Sequence, residues 1–174
     1  MTRLLLSAFI HSDAEHLISN MASLLSAGPA IEAAAGGGSE GASALLHAAA
    51  ITLPLAHALY VGSAWAERRW YGRSAAYHRD GGVGFSSVGC ALAVIAANSG
   101  SSGVGSSVGL PPEIMPVVQV AVGHLVYPRA SLRAHVCGLA AGFMFVYAPK
   151  VFRAFRRRLA RRGWRGRGRR LGGE

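Results

Sequence analysis

Charge is scarce in this sequence until its last segment. Asp and Glu number only eight in 174 residues, and charged residues of both signs make up 15%, where a soluble domain carries about 25%. Hydrophobic residues reach 51% and the mean hydropathy is +0.31. That balance argues against an ordinary soluble domain. Cysteine is nearly absent. Cys90 and Cys137 both fall in apolar segments, which leaves no disulfide framework and no zinc-ligand spacing. A secretory leader is not recognisable either, because His11 interrupts the apolar start at Leu4-Leu5-Leu6 too soon. The net charge of +10 belongs to one region: from Lys150 onward stand ten Arg and one Lys against a single Glu. A basic block that follows the last apolar segment is read as a cytoplasmic anchor under the positive-inside rule, rather than as a nucleic-acid surface.

What is there is a series of uncharged stretches. Leu17 to about Ala35 is the first, rich in small residues. Gly36–Gly41 is expected to be a flexible link. Gly41–Ala66 carries no charge over 26 residues, long enough to cross a bilayer as a helix. Glu67–Asp80 is expected to be a charged, aromatic loop. Gly81–Asn98, Ile114–Tyr127 and Ala134–Pro149 complete five candidate spans, with a Gly/Ser loop over Ser99–Gly109 and a short turn over Pro128–Arg133. The expected fold class is an all-α polytopic membrane protein, with a transmembrane domain over 1–150 and a basic cytosolic tail over 151–174.

Polar groups inside spans are costly and point to function. Five stand out: His11, His16, Asn20, Ser86 and His135. His16 and Asn20 open the first span, Ser86 the third and His135 the fifth. Alternate spans start on the same side of the membrane, so segment counting alone puts these groups at one face and a similar depth. Taken singly, Ser86 reads as a helix N-cap, Asn20 as a bond between helices and His135 as an interhelical hydrogen-bonding group. Together they have the parts of an acyl-transfer site. A serine hydroxyl needs a base to take its proton, and a histidine on a neighbouring helix supplies one. The oxyanion that develops needs fixed donors, and Asn20, His16 and the Ser86 N–H offer them. Residues 16 and 20 share a helix face. No acid stands beside His135, so the arrangement is a dyad. A channel or transporter lined by His47, His57 and His124 is a further reading, but no inverted repeat supports it.

The ordered motifs resemble those of the rhomboid intramembrane serine proteases. His11-Ser12-Asp13-Ala14-Glu15-His16-Leu17-Ile18-Ser19-Asn20 carries HxxxxHxxxN, and Glu32 fits the acid at the far end of that helix. Gly84-Phe85-Ser86 matches the GxS nucleophile motif. Ala134-His135 through Gly138 and Gly142 matches the histidine helix with its GxxxG. Arg3-Leu4-Leu5-Leu6-Ser7 is similar to the endoplasmic-reticulum subgroup. The resemblance covers about Arg3 to Pro149 and shows five of the family's six spans, the first of which would precede Met1.

The resemblance implies peptide-bond hydrolysis in the membrane, with Ser86 as nucleophile and His135 as general base. His16 and Asn20 would form the oxyanion hole, and His11, Gly84 and Gly138 would support the site. It implies no metal or cofactor. Its substrates would be transmembrane proteins with a locally unwound, small-residue-rich helix, and its location an endomembrane such as the endoplasmic reticulum. The alternative is a rhomboid-like pseudoprotease that binds or escorts membrane clients. Three positions depart from the pattern: Thr2 replaces a tryptophan, Ser87 the glycine after the nucleophile, and Cys90 an aromatic that packs on the base. The Arg-rich tail offers contact to anionic lipid or to an acidic protein.

Overall fold

The computed structural model describes residues 6–72, 85–100, 109–126 and 130–168. Among the described residues five α-helices carry the fold: α1 (Ala14–Ala34), α2 (Gly38–Tyr71), α3 (Ser86–Ala97), α4 (Met115–Val126) and α5 (Leu132–Gly168). Short 3-10 turns at Ser7–Phe9 and Pro112–Ile114 precede α1 and α4. No strand occurs among the described residues. All five apolar segments are helices, as expected.

Two expected loops are partly helical. Gly36–Gly41 is not a flexible link: α2 begins at Gly38, and only Ala35–Gly37 turns the chain. Gly36 and Gly37 take φ of 100° and 71° there, values that glycine adopts without a steric penalty. Gly41 is buried, and a methyl group on it would sit 2.6 Å from the Glu32 carbonyl oxygen. The two helices of this hairpin therefore cross backbone to backbone. The segment from Glu67 to Tyr71 is likewise the end of α2, not a loop. Glu and Arg are good helix formers, and the helix stops at Gly72, in the left-handed region at φ 66°, whose N–H bonds the Arg68 carbonyl. Residues 73–84, including Gly84 and Tyr77, lie outside the described residues.

The core forms around α3. Seven of its twelve residues are buried, and Val88, Ala91, Leu92 and Val94 are fully so. A helix buried on several sides is a central one. The other four helices pack around it. Ala27 and Ile31 of α1 and Ala48 of α2 meet Val88, Leu92 and Ile95 in one cluster. Ala56, Ala91 and Ala141 form a second. Alanine and glycine at these contacts let the backbones approach closely.

The outer faces are apolar as well. Leu46 on α2 is 70% exposed and Leu125 on α4 is 82% exposed. The segments Gly38–Tyr71 and Leu132–Ala154 are long and apolar enough to span a bilayer, and less than a third of the apolar window in each is buried. A soluble bundle hides such windows; these are left open, as a lipid-facing surface is. This is an integral membrane protein. Prolines 29, 54 and 149 stand inside α1, α2 and α5, as membrane helices tolerate.

Candidate active site

The site is built by three helices in close register. A methyl group on Gly138 would meet the Ser87 carbonyl oxygen at 2.1 Å, and one on Gly142 would meet the Ala91 carbonyl oxygen at 2.7 Å. Both partners advance by four residues, so α3 and α5 run parallel with their backbones touching. One turn before Gly138 stands His135, and immediately before Ser87 stands Ser86. They occupy the same end of adjacent helices. On the other side of α3, a methyl group on Gly89 would sit 2.9 Å from Ser23 Oγ of α1. Three residues before this contact, on each helix, stand Asn20 and Ser86. Asn20, Ser86 and His135 therefore stand at the same end of three neighbouring helices.

Ser86 is half-buried and is the first residue of α3, not its N-cap; Phe85 holds that position and makes no side-chain capping bond. The first intrahelical bond of this turn is the Gly89 N–H to the Phe85 carbonyl at 2.9 Å. The N–H groups of the first residues of a helix have no partner within it, and the Ser86 N–H is one of these, the kind of donor that an anion takes.

Asn20 is 4% exposed, and its Nδ2 has no hydrogen-bond partner. A buried amide left unmatched costs about 1–3 kcal/mol. Among the described residues, the other buried side-chain nitrogens without a partner are His11 Nε2 and His124 Nδ1. The His11 ring meets the His16 ring edge-on at 5.3 Å. His135, half-buried in the first turn of α5, interacts electrostatically with His124 and His16.

The start of α1 is tied by a small network. Asp13 is the N-cap, and its Oδ1 accepts from the His16 N–H at 2.7 Å. The Ser12 hydroxyl donates to Asp13 Oδ2 at 2.9 Å and lies 3.2 Å from His16 Nδ1. Because Ser12 has given its one proton to Asp13, it accepts from His16 Nδ1–H. A neutral His16 then presents Nε2 as an acceptor, and a doubly protonated one presents it as a donor. These hydrogen bonds, from the His16 backbone first and from Ser12 second, hold the Asp13 carboxyl below its ordinary range.

His124 is the site residue that sequence reasoning passed over, grouping it with His47 and His57. The three do not line a common path. His47 is exposed and its ring packs on Phe145 at 6.4 Å. His57 is buried, with Nδ1 donating to the Leu53 carbonyl at 2.8 Å and Nε2 facing Ser7 Oγ at 3.4 Å. That contact and the fully buried Ala8 fasten the segment leading to His11. The signal for His124 was its place within a span at the end nearest the following histidine helix.

A protein-family model of the Rhomboid domain matches residues 1–150. The chain belongs to the rhomboid family. Neither a curated protein nor a solved structure matches it. Rhomboids are a family of intramembrane proteases that includes inactive members, so the family alone places this rhomboid in the bilayer with membrane proteins as its substrates or clients. Among the described residues no group of His, Cys, Asp and Glu is placed to hold a metal ion. What the rhomboid site offers chemically is a hydroxyl at a helix start, an imidazole at the same end of the adjacent helix and unmatched buried nitrogens.

Proposed function

We propose that this rhomboid is a serine protease that cleaves transmembrane proteins within the bilayer through a Ser86–His135 dyad. The observation that carries the reading is the buried, unpartnered Asn20 amide at the level of Ser86. A donor kept dry and unmatched in the resting protein is matched when an oxyanion forms beside it. The neutral His135 ring takes the Ser86 Oγ proton as Oγ attacks the scissile carbonyl. The oxyanion lies against Asn20 Nδ2 and the Ser86 N–H, and His16 adds a donor when both its ring nitrogens are protonated. His135 returns the proton to the leaving amine, which departs and leaves an acyl ester on Ser86. Water, deprotonated by His135, then hydrolyses the ester and restores Ser86 Oγ–H.

A helix hides its peptide bonds from attack, so the substrate is a span that unwinds locally at small residues. Residues 1–150 form the transmembrane unit in this reading. The basic segment 151–174 faces the cytosol against anionic headgroups, where clustered Arg and Lys gain about 1 kcal/mol each. The protein then resides in an endomembrane such as the endoplasmic reticulum. The rival reading, a rhomboid that binds clients without cleaving them, rests on Cys90 where an aromatic would pack on the base.

A fluorophosphonate probe separates the two. Purified protein in bicelles is expected to label, and Ser86→Ala and His135→Ala to abolish labelling while keeping their helical circular dichroism. A folded wild type that does not label, or a Ser86→Ala variant that labels equally, would leave the client-binding reading in place of the protease.

A further inference from the structure

Glu67 lies near the C-terminal end of α2, and Arg133 is the second residue of α5. Their side chains form an ion pair across the helix interface, with exposures of 24% and 21%. Each charge sits toward the disfavoured pole of its own helix. The N–H groups at the start of α5 oppose a guanidinium, and the carbonyls toward the end of α2 oppose a carboxylate. Helix stability therefore accounts for neither residue; the partner on the other helix does. Removing such charges from water also costs energy that the pairing must offset.

The position of the pair supplies a role. Arg133 is two residues before His135, in the same first turn. Two local bonds also cap that turn: Ala134 N–H to Ser131 Oγ at 3.3 Å and His135 N–H to the Ser131 carbonyl at 3.2 Å. Bonds within one turn cannot fix how α5 is rotated about its own axis. Further along, packing sets the rotation of α5, with Cys137, Leu139 and Ala141 buried and Gly138 and Gly142 against α3, but none of the first-turn residues Leu132 to Val136 is buried. The link to α2 holds that unburied first turn. We infer that the Glu67–Arg133 pair is a positioning device, which turns the start of α5 so that the His135 imidazole faces Ser86.

This inference rests on the protease reading and deepens it, and Glu67 and Arg133 act through His135 rather than on substrate. The test uses the full chain in bicelles with Glu67→Gln, Arg133→Gln and the reversed pair Glu67→Arg/Arg133→Glu. Fluorophosphonate labelling rate, kcat and KM on a transmembrane peptide, and the melting temperature are measured for each. Each neutral variant is expected to lose about tenfold in labelling rate and kcat, since small misplacements of a catalytic group cost about that much or more. KM and the melting temperature stay near wild type. The reversed pair restores the rate to within about threefold, because the attraction is re-made with its sign inverted. Neutral variants that label at the wild-type rate overturn the inference and leave the protease reading intact. A rate loss that follows a fall in melting temperature, or a folded reversed pair as slow as the single variants, also overturns it. A folded wild type that never labels removes the protease reading, and the inference with it.

Discussion

Gly138→Ala tests whether the backbone contact between α3 and α5 sets the alignment of the site. The added methyl would stand 2.1 Å from the Ser87 carbonyl oxygen, 2.8 Å from its carbonyl carbon and 2.9 Å from its Cα. All three atoms are backbone, so no side chain can swing aside. Carbon and oxygen rest at about 3.3 Å or more, so the helices must part by about 1 Å at this level. Overpacking of this kind costs about 1–3 kcal/mol of stability. The functional cost is larger, because a displacement of about 1 Å between reacting groups can cost about 100-fold in rate. Gly142→Ala is the internal comparison. Its methyl meets Ala91 O at 2.7 Å and Val94 Cβ at 2.8 Å, a milder overlap one turn further from His135. It is expected to lower stability while slowing fluorophosphonate labelling by less than about tenfold. Labelling rates and melting temperatures in one bicelle preparation measure both. Gly138→Ala labelling at the wild-type rate, or Gly142→Ala slowing it equally, would refute the geometric argument.

Three further outcomes follow from the same geometry. Asn20→Leu removes an unmatched buried amide, so its melting temperature should hold or rise while cleavage falls about 100- to 1,000-fold; a destabilised variant that keeps its rate contradicts the oxyanion role. The Asp13 carboxyl is held below its ordinary range, so its capping contribution is present above the unfolded-state value and is lost as pH falls through the folded one. The protection of the His16 amide against hydrogen exchange, relative to its intrinsic rate, should fall over that acidic window, and unchanged protection there would show that Asp13 does not hold the α1 start. Tyr147→Phe removes the hydroxyl bond to Asn98 Oδ1 at 2.8 Å, about three turns along α5 from His135, so it should cost about 0.5–1.5 kcal/mol and leave the labelling rate unchanged, which stopped-time labelling checks directly.

The sequence made the five helices legible because each is a run of apolar and small residues that lipid or neighbouring helices must cover. The rhomboid family was legible from motif order, and the family match agrees with it. Segment counting placed Asn20, Ser86 and His135 at one end, and the Ser23–Gly89 and Ser87–Gly138 contacts bring them level. Hydropathy failed at the helix ends. Glu67 to Tyr71 looked like loop because charge interrupts the apolar run, yet those residues favour helix and only Gly72 ends it. Gly36–Gly41 looked flexible because composition does not reveal that Gly41 must lie against Glu32. The Glu67–Arg133 and Ser7–His57 contacts join positions far apart in the chain, and no local pattern announces them. His124 was obscured by the abundance of histidine elsewhere.

The last helix has a mechanical consequence. From Leu132 to Gly168 it is one α-helix of 37 residues, about 55 Å of rod at the usual rise. It carries His135 at one end and the arginines at the other. A stiff rod would transmit any pull on the arginines to the imidazole. Pro149 interrupts it near the boundary between the two parts. Having no N–H, it cannot bond the Phe145 carbonyl, and its ring crowds that turn. The rod therefore has a compliant joint at the place where apolar sequence gives way to basic sequence. Bending there absorbs load from the basic arm, and the register of α5 against α3 is spared.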